Sequence, residues 1–413
     1  MGVGSASDSA PSGPFRRRDM SYDVIVVGAG PGGSSAAMHA ARGGADVLLI
    51  EKRQEIGSPV RCAEGVSKSG LEKCGIKPDP KWIASEMKGA KLHSPDDTVV
   101  ELSEEFAGNE VGYVLERKIF DREMAAMAAE AGAEIMMKSM AVDFFRKDDT
   151  CGLRILSDGE EKEIEANLII AADGVESKMA RMAGIDTTLA PSDVESCVQY
   201  LMVGLECDLD YTHFYIGSCY SPGGYIWIFP KGGSKANVGI GVQGSRIPLK
   251  ARGFARGLLD KFIKERPEIS AGKKIEIIVG GVPVSGPKYE TVVDNLMVVG
   301  DAARHADPAT GGGIINAIRG GRFAAETAIQ ALQEEDFSKP FLSRYDKAWR
   351  EDFGGSLERD LIIKDVLINL DDANFDDLAH SLTGHKFEDL GLLGIIEAIQ
   401  ERHPDLLEAL IGR

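Results

Sequence analysis

Cysteine is scarce and scattered. The six thiols, Cys62, Cys74, Cys151, Cys197, Cys207 and Cys219, form no C-x-x-C pair in 413 residues. That excludes a dense disulfide framework and a cysteine-built zinc or iron–sulfur site, and points to reduced thiols in an intracellular protein. Positive charge is in short supply as well: 47 basic residues face 65 acidic ones, a net charge of -18. Broad nucleic-acid binding and docking on an anionic membrane by bulk charge are therefore excluded, and only local basic pockets are left. Apolar runs of membrane length are missing too. The nearest candidate, residues 24–41, is broken by Gly28, Gly30, Pro31, Gly32 and Gly33, as strand, turn and helix would be. What is present is an ordinary globular composition, 43% hydrophobic and 27% charged. At this length about three-quarters of the unfolded surface can be buried, over roughly two or three domains.

Residues 1–20 form a Ser/Gly/Ala/Pro-rich stretch expected to be a flexible leader. Its Arg16, Arg17 and Arg18 precede an apolar run, but that run belongs to a fold rather than to an export signal, and Met20 is an alternative start. From residue 22 to Glu51 the pattern is one βαβ unit: a strand over 24–27, a glycine turn, a small-residue helix to Arg42 and a second strand over 47–50. The segment 113–131 places Arg117 just before a helix with Phe120, Met124 and Ala128 on its apolar side, closed by Gly132. The uninterrupted apolar run 167–172 ends at Asp173-Gly174, which belongs at a sheet's carboxyl edge.

Between residues 191 and 287 the texture changes to short aromatic and β-branched runs separated by Gly, Pro and Asp turns, with one helix expected over 249–265. This pattern predicts an inserted, mostly antiparallel sheet. A strand over 296–299 then leads into Gly300-Asp301 and a helix over 313–332, and from residue 340 the chain is helical and acidic, expected as a packing cover. The fold class is thus α/β, with four parts: 1–20 the leader, 21–190 with 288–335 a nucleotide-binding domain, 191–287 a substrate-binding domain and 336–413 a C-terminal helical region.

The sextet Gly28-Ala29-Gly30-Pro31-Gly32-Gly33 lies between strand and helix, where absent side chains allow a tight turn and bring backbone amides to a pyrophosphate. Glu51 ends the next strand, where a carboxylate accepts from both hydroxyls of an unphosphorylated ribose, hence FAD or NAD rather than NADP. FAD is favoured by Leu168 to Gly174 and Leu296 to Asp301, apolar strands ending in Asp-Gly and Gly-Asp, and by the loop Pro308-Ala309-Thr310-Gly311-Gly312-Gly313. A helix opening at Gly313 would hold negative charge on a reduced flavin. Further along, Tyr225-Ile226-Trp227-Ile228-Phe229-Pro230 precedes Gly239-Ile240-Gly241. Strand alternation puts Tyr225, Trp227 and Phe229 on one face, either as sheet core or as a wall for an apolar chain, with the glycines leaving space.

These blocks resemble the glutathione-reductase-like flavoproteins of the p-hydroxybenzoate hydroxylase branch, in which the second Asp holds the ribityl chain. The resemblance implies a Rossmann-like FAD-binding domain. The Y-x-W-x-F-P and G-x-G blocks are similar to those of geranylgeranyl reductases. With Lys52 to Gly65, Gly112 to Arg117 and Gly300 to Arg304, the likeness narrows to the archaeal digeranylgeranylglycerophospholipid reductases, from about residue 22 to the helix near Leu332. It implies FAD contacts at Gly28, Gly30, Gly32, Gly33, Glu51, Arg61, Cys62, Ala63, Gly65, Arg117, Ala141, Asp301, Gly313 and Ile314. It also implies a substrate wall at Tyr225, Trp227, Phe229, Pro230, Gly239 and Gly241.

The implied activity is saturation of the isoprenoid double bonds of 2,3-di-O-geranylgeranylglyceryl phosphate, a step toward archaeal membrane lipids. Such alkenes are not conjugated to a carbonyl, so a proton must accompany the hydride. Cys62 is the first candidate acid and Tyr225 the second, while His305 is expected to be structural. Arg61, Lys231 or Lys235 would meet the phosphate head, or else lie in solvated turns. With no second glycine-rich βαβ motif, electrons are expected from a ferredoxin-like protein or from a transiently bound reduced nicotinamide or deazaflavin. A cytoplasmic protein in peripheral contact with the membrane, and no metal, complete the expectation. A flavin monooxygenase and a non-enzymatic flavoprotein or isoprenoid carrier are the rival readings.

Overall fold

The computed structural model describes residues 22–103, 112–147 and 150–383, so the leader and the chain beyond residue 383 lie outside the described residues. The first sheet is parallel at its centre because its strands are apolar on both faces. In Tyr22–Val27, Val24 and Val26 pack into the helical layer, while Ile25 and Val27 pack into a second cluster on the other side. The strand order is Val292–Val293, Leu296–Val298, Glu160–Ala171, Tyr22–Val27, Val47–Ile50, Glu134–Met136. Val24 lies opposite both Leu168 and Val47, and Ile169 opposite Leu296, all in parallel register. Strands Ser139–Lys147 and Thr150–Ser157 add an antiparallel meander through Glu160–Ala171.

Helix Pro31–Arg42 runs beside the long helix Ile314–Glu334. The two backbones touch: a Cβ at Gly321 would stand 2.2 Å from the Gly32 carbonyl oxygen, and Ser35 Oγ donates to the Ile318 carbonyl at 2.7 Å. Near their far ends Gly43 meets Ile329. The helices are therefore parallel, and both N-termini open at the same sheet edge, where two positive helix ends add.

A second sheet runs Lys273–Pro283, Val194–Val203, Lys235–Gln243, Tyr225–Pro230, Thr212–Ile216, Gly89–His93, Val99–Ser103. All neighbours are antiparallel except Thr212–Ile216 with Gly89–His93. One face carries Val198, Tyr200, Ile226, Ile228, Val238 and Ile240 beneath helix Phe254–Glu265. The other face looks toward the first domain.

Two departures from the sequence reading follow from long-range pairing and local backbone. Residues 89–103, placed by sequence in the first unit, join the second sheet because Thr212–Ile216 offers its edge to Gly89–His93, a partner more than a hundred positions away that no local pattern announces. The helix expected from residue 249 begins at Phe254 instead, because Gly253 is left-handed (φ 70°) and Leu249 is fully exposed. After Glu334 the chain continues as helices Lys339–Trp349, Gly355–Leu367 and Asp372–Leu382, tied to the first sheet where Tyr345 donates to the Val298 carbonyl at 2.6 Å.

Candidate active site

One cavity of about 860 Å³ runs between the two sheets, near the upper end of the ~300–1,000 Å³ usual for small-molecule sites. Its first end is built mostly of backbone. Gly30 caps the first helix in an extended conformation and lines the cavity with Pro31 and Gly32, and a Cβ at Gly30 would meet nothing within 4 Å. Gly28, at φ 102°, makes the turn, and Gly33 packs on its carbonyl. Asp301, Gly311, Gly312 and Gly313 bring the second helix end to the same wall, and burial pushes the Asp301 carboxyl up. Open space in front of two helix N-termini, with a carboxyl beside them, fits a pyrophosphate-linked flavin.

Glu51 lies behind this wall. Its carboxylate accepts from Ala29 N and Arg53 N, both at 3.0 Å, which ties the glycine loop to the next strand. A carboxylate has about four acceptor sites, so ribose hydroxyls still have room.

Cys62, Ala63, Gly65, Arg61 and Arg117 line the cavity around the loop that follows. Arg117 is the first residue of its helix, and its guanidinium is held in a bidentate pair by Asp121 at 2.7 and 2.8 Å. Burial pushes the Cys62 thiol up against the opposing pull of Arg117, so it stays a neutral thiol. The centre of this region is a residue the sequence reading passed over. Glu64, left-handed at φ 78°, accepts from Arg117 N at 2.8 Å, Asn237 Nδ2 at 2.6 Å and Lys231 Nζ at 2.7 Å. Lys231 is therefore no entrance cation. It is buried, and its charge is spent on Glu64 and Glu116. Lys235 is exposed and does not line the cavity. Arg61 does, paired with Glu176 at 3.2 Å.

Tyr225, Trp227 and Phe229 form the opposite wall, joined by Phe214. The indole is fixed by Gln199, whose Oε1 accepts from Trp227 Nε1 at 2.9 Å while its Nε2 donates to the Cys62 carbonyl at 3.1 Å. Tyr225 donates its hydroxyl to the Thr310 carbonyl, linking the wall to the glycine loop. Gly239, Gly241, Pro230 and Ala141, among the expected contacts, do not line the cavity. The space at Gly239 is filled by the Trp227 ring, 2.3 Å from a hypothetical Cβ, and the space at Gly241 by the Glu195 carboxylate, also 2.3 Å away. Those glycines make room for this chain's own side chains and, like Pro230, do not line the cavity. Ala141 also lies off the cavity, on the antiparallel meander opposite Ile155. His305 is buried between Trp349 and Phe353, and that burial lowers its imidazole to about 3.

The sequence reading missed the inward face of Val194–Val203, where Glu195, Cys197 and Gln199 all line the cavity. The signal was there: Glu195 and Gln199 lie four positions apart, on one face of a strand. It also took the tail for a cover. Instead, Leu367, Leu370, Phe375, Leu378 and Leu382 line the cavity's far lobe against Val100 and Leu102. Polar anchors hold that last helix: Asp372 Oδ1 accepts from Ser218 N at 2.6 Å and Asp376 Oδ1 from Asp96 N at 2.9 Å.

Comparison with known proteins agrees with this geometry. A family model of the geranylgeranyl reductase catalytic domain matches residues 193–282, and one of an FAD binding domain matches residues 21–223. The digeranylgeranylglycerophospholipid reductase 2 of Methanococcoides burtonii is 49% identical over 95% of both chains. The digeranylgeranylglycerophospholipid reductase of Methanosarcina mazei is 50% identical over 94% of both. A geranylgeranyl bacteriochlorophyll reductase-like structure from Thermoplasma acidophilum superposes with a TM-score of 0.90 at 43% identity, covering 95% of this chain and 98% of that one. A p-nitrophenol 4-monooxygenase from Pseudomonas putida shares the fold alone, with a TM-score of 0.68 at 16% identity over 93% of this chain and 98% of that one. The chain carries an FAD-binding domain joined to a geranylgeranyl reductase catalytic domain, and it belongs to the digeranylgeranylglycerophospholipid reductase family.

Proposed function

We propose that the protein uses FAD to saturate the isoprenoid double bonds of 2,3-di-O-geranylgeranylglyceryl phosphate and related geranylgeranyl lipids, in the biosynthesis of archaeal membrane phospholipids. The observation that carries this reading is the continuity of the cavity, from the two helix N-termini past the Trp227 wall into the apolar lobe around Leu378. Reduced FAD supplies the hydride. The chain's residues do the rest. The apolar lobe takes the prenyl chain and excludes water. Gln199 fixes the Trp227 ring, whose π face, with that of Tyr225, steadies the positive charge that develops at the more substituted alkene carbon.

The test is anaerobic. Protein reduced with dithionite and given digeranylgeranylglyceryl phosphate is expected to reoxidise its flavin while the lipid gains two hydrogens per bond. Unchanged lipid with still-reduced flavin would overturn the reading in favour of a carrier. An oxygenated product formed from NAD(P)H in air would overturn it in favour of a monooxygenase.

The sequence contains one glycine-rich βαβ motif, which supports an external electron donor, a ferredoxin-like protein or a reduced nicotinamide or deazaflavin. Among the described residues no helix is long and apolar enough to cross a membrane. Peripheral contact would bring the protein to a bilayer-borne lipid, and exposed Ile275, Ile277 and Val279 on the edge strand Lys273–Pro283 offer apolar surface for it.

A further inference from the structure

The proposed reaction requires an acid that is neutral near pH 7, lies against the substrate wall and is free of structural duty. Tyr225, Cys62 and Glu195 are three of the groups lining the cavity that can carry a proton. Tyr225 has committed its hydroxyl to the Thr310 carbonyl, and burial raises its phenol well above the usual range. Cys62 accepts from Glu64 N at 3.2 Å, and its thiol is pushed up as well. The third is Glu195.

The chain makes deliberate room for Glu195. Its carboxylate occupies the volume a side chain at Gly241 would fill, and Gly224 stands clear on the other side, 3.4 Å from Oε1 to a hypothetical Cβ. Across the sheet Cys197 and Tyr225 both pair with Gly241 and so flank that glycine, the Glu195 carboxylate lies over it, and Trp227 is two positions along the strand from Tyr225. What is accessible of Glu195 faces the cavity. Among the described residues no hydrogen bond reaches its half-buried carboxylate.

We propose that Glu195 is the proton donor of the reduction, delivering its carboxyl proton to one carbon of a double bond lying against Trp227 while hydride reaches the other. This rests on the reductase reading above. The step balances. The alkene π bond breaks, two C–H bonds form, the reduced flavin loses two electrons and one hydrogen, and Glu195 is left as a carboxylate that water reprotonates before the next bond. Burial raises the Glu195 carboxyl from the usual range to about 7, opposed only by the Lys364 ammonium on the facing C-terminal helix. The other titratable neighbours are Cys197 on its own strand and Tyr225 on the sheet, and both are neutral at that pH. An acid with this pKa is about half protonated at neutral pH and gives its proton away readily.

The sign of the pH dependence follows. The protonated form is lost as pH rises through about 7, so the saturation rate of pre-reduced wild type falls above that pH. Glu195→Gln is expected to keep its flavin absorbance and its reduction by dithionite, to saturate digeranylgeranylglyceryl phosphate at least about 100-fold more slowly, and to lose that limb. Glu195→Asp is expected to recover part of the rate. A measurement independent of turnover is the infrared difference between wild-type and Glu195→Gln holoprotein, expected to show a carboxylic carbonyl band at pH 6 that disappears above about pH 8. A Glu195→Gln protein within about twofold of wild type, or a carboxyl already ionised at pH 6, overturns the assignment. Wild type that leaves the lipid unchanged overturns the reductase reading instead.

Discussion

The two ends of the cavity recognise their occupants by different means. At the first end the walls are backbone: Gly30, Gly32, Gly312 and Gly313 and two helix N-termini, where a single added carbon would strike a carbonyl or obstruct the approach to a phosphate. At the other end the walls are side chains from a strand near residue 100 and helices near residue 370, and any apolar group of suitable volume would serve. The first end is specified by what is missing from it, the second by what fills it. Mutations should therefore have steep, local effects at the first and graded effects at the second.

The sharpest break in that contrast is Gly33→Ala. A Cβ there would stand 1.8 Å from the Gly28 carbonyl oxygen, and neither backbone can yield without unmaking the turn. We expect a cost on the order of 4 kcal/mol or more and purified protein nearly devoid of flavin, read from the flavin-to-protein absorbance ratio and the melting temperature. Full flavin occupancy would show that backbone constraint does not build this end.

Trp227→Ala probes the middle. Deleting a nearly buried indole costs about 3–5 kcal/mol, and here it also strands Gln199 and opens the space above Gly239. Flavin content should persist, because no glycine of the first end touches the indole, while kcat/KM for the lipid should fall about 100-fold. Anaerobic single-turnover assays on flavin-replete protein separate the two. Loss of flavin instead of turnover would merge the regions this comparison keeps apart.

The same contrast explains what could be read beforehand. The sextet at residues 28–33, Glu51 and the Gly300-Asp301 block are tied to position by sterics and hydrogen bonding, so they leave a pattern of residue types at fixed spacing. Tyr225, Trp227 and Phe229 were legible because strand alternation decides which face they share. Glu64 was not: its importance comes from Asn237 and Lys231, 173 and 167 positions away, which meet it only once the sheets close. Gly239 and Gly241 were legible as places where space is left, and which side chain enters that space was not. The far lobe was illegible for a plainer reason. Leu370, Phe375 and Leu378 look like any amphipathic packing face until the parallel pairing of Gly89–His93 brings Val100 and Leu102 opposite them.

That lobe gives the smallest and most selective effect. Phe375 is half-buried on helix Asp372–Leu382 and lines the cavity beside Leu378 and Leu382. Phe375→Trp adds volume at the end of the lobe, with an overpacking cost of about 1–3 kcal/mol, while the helix stays held by Asp372 and Asp376 on its polar side. A full geranylgeranyl chain needs the last part of the cavity and a shorter prenyl chain does not. KM for the digeranylgeranyl lipid should therefore rise about fivefold, and KM for a shorter-chain analogue should hardly change, in line with the worth of one or two methylenes in an apolar pocket. Because the substitution lies far from the wall around Trp227, kcat should stay within about twofold for both. Steady-state assays with the two lipids decide the matter. A kcat that falls equally for long and short chains would mean that the lobe sets the geometry of the reacting bond rather than the length of chain the cavity accepts, and that the two ends of the cavity act as one.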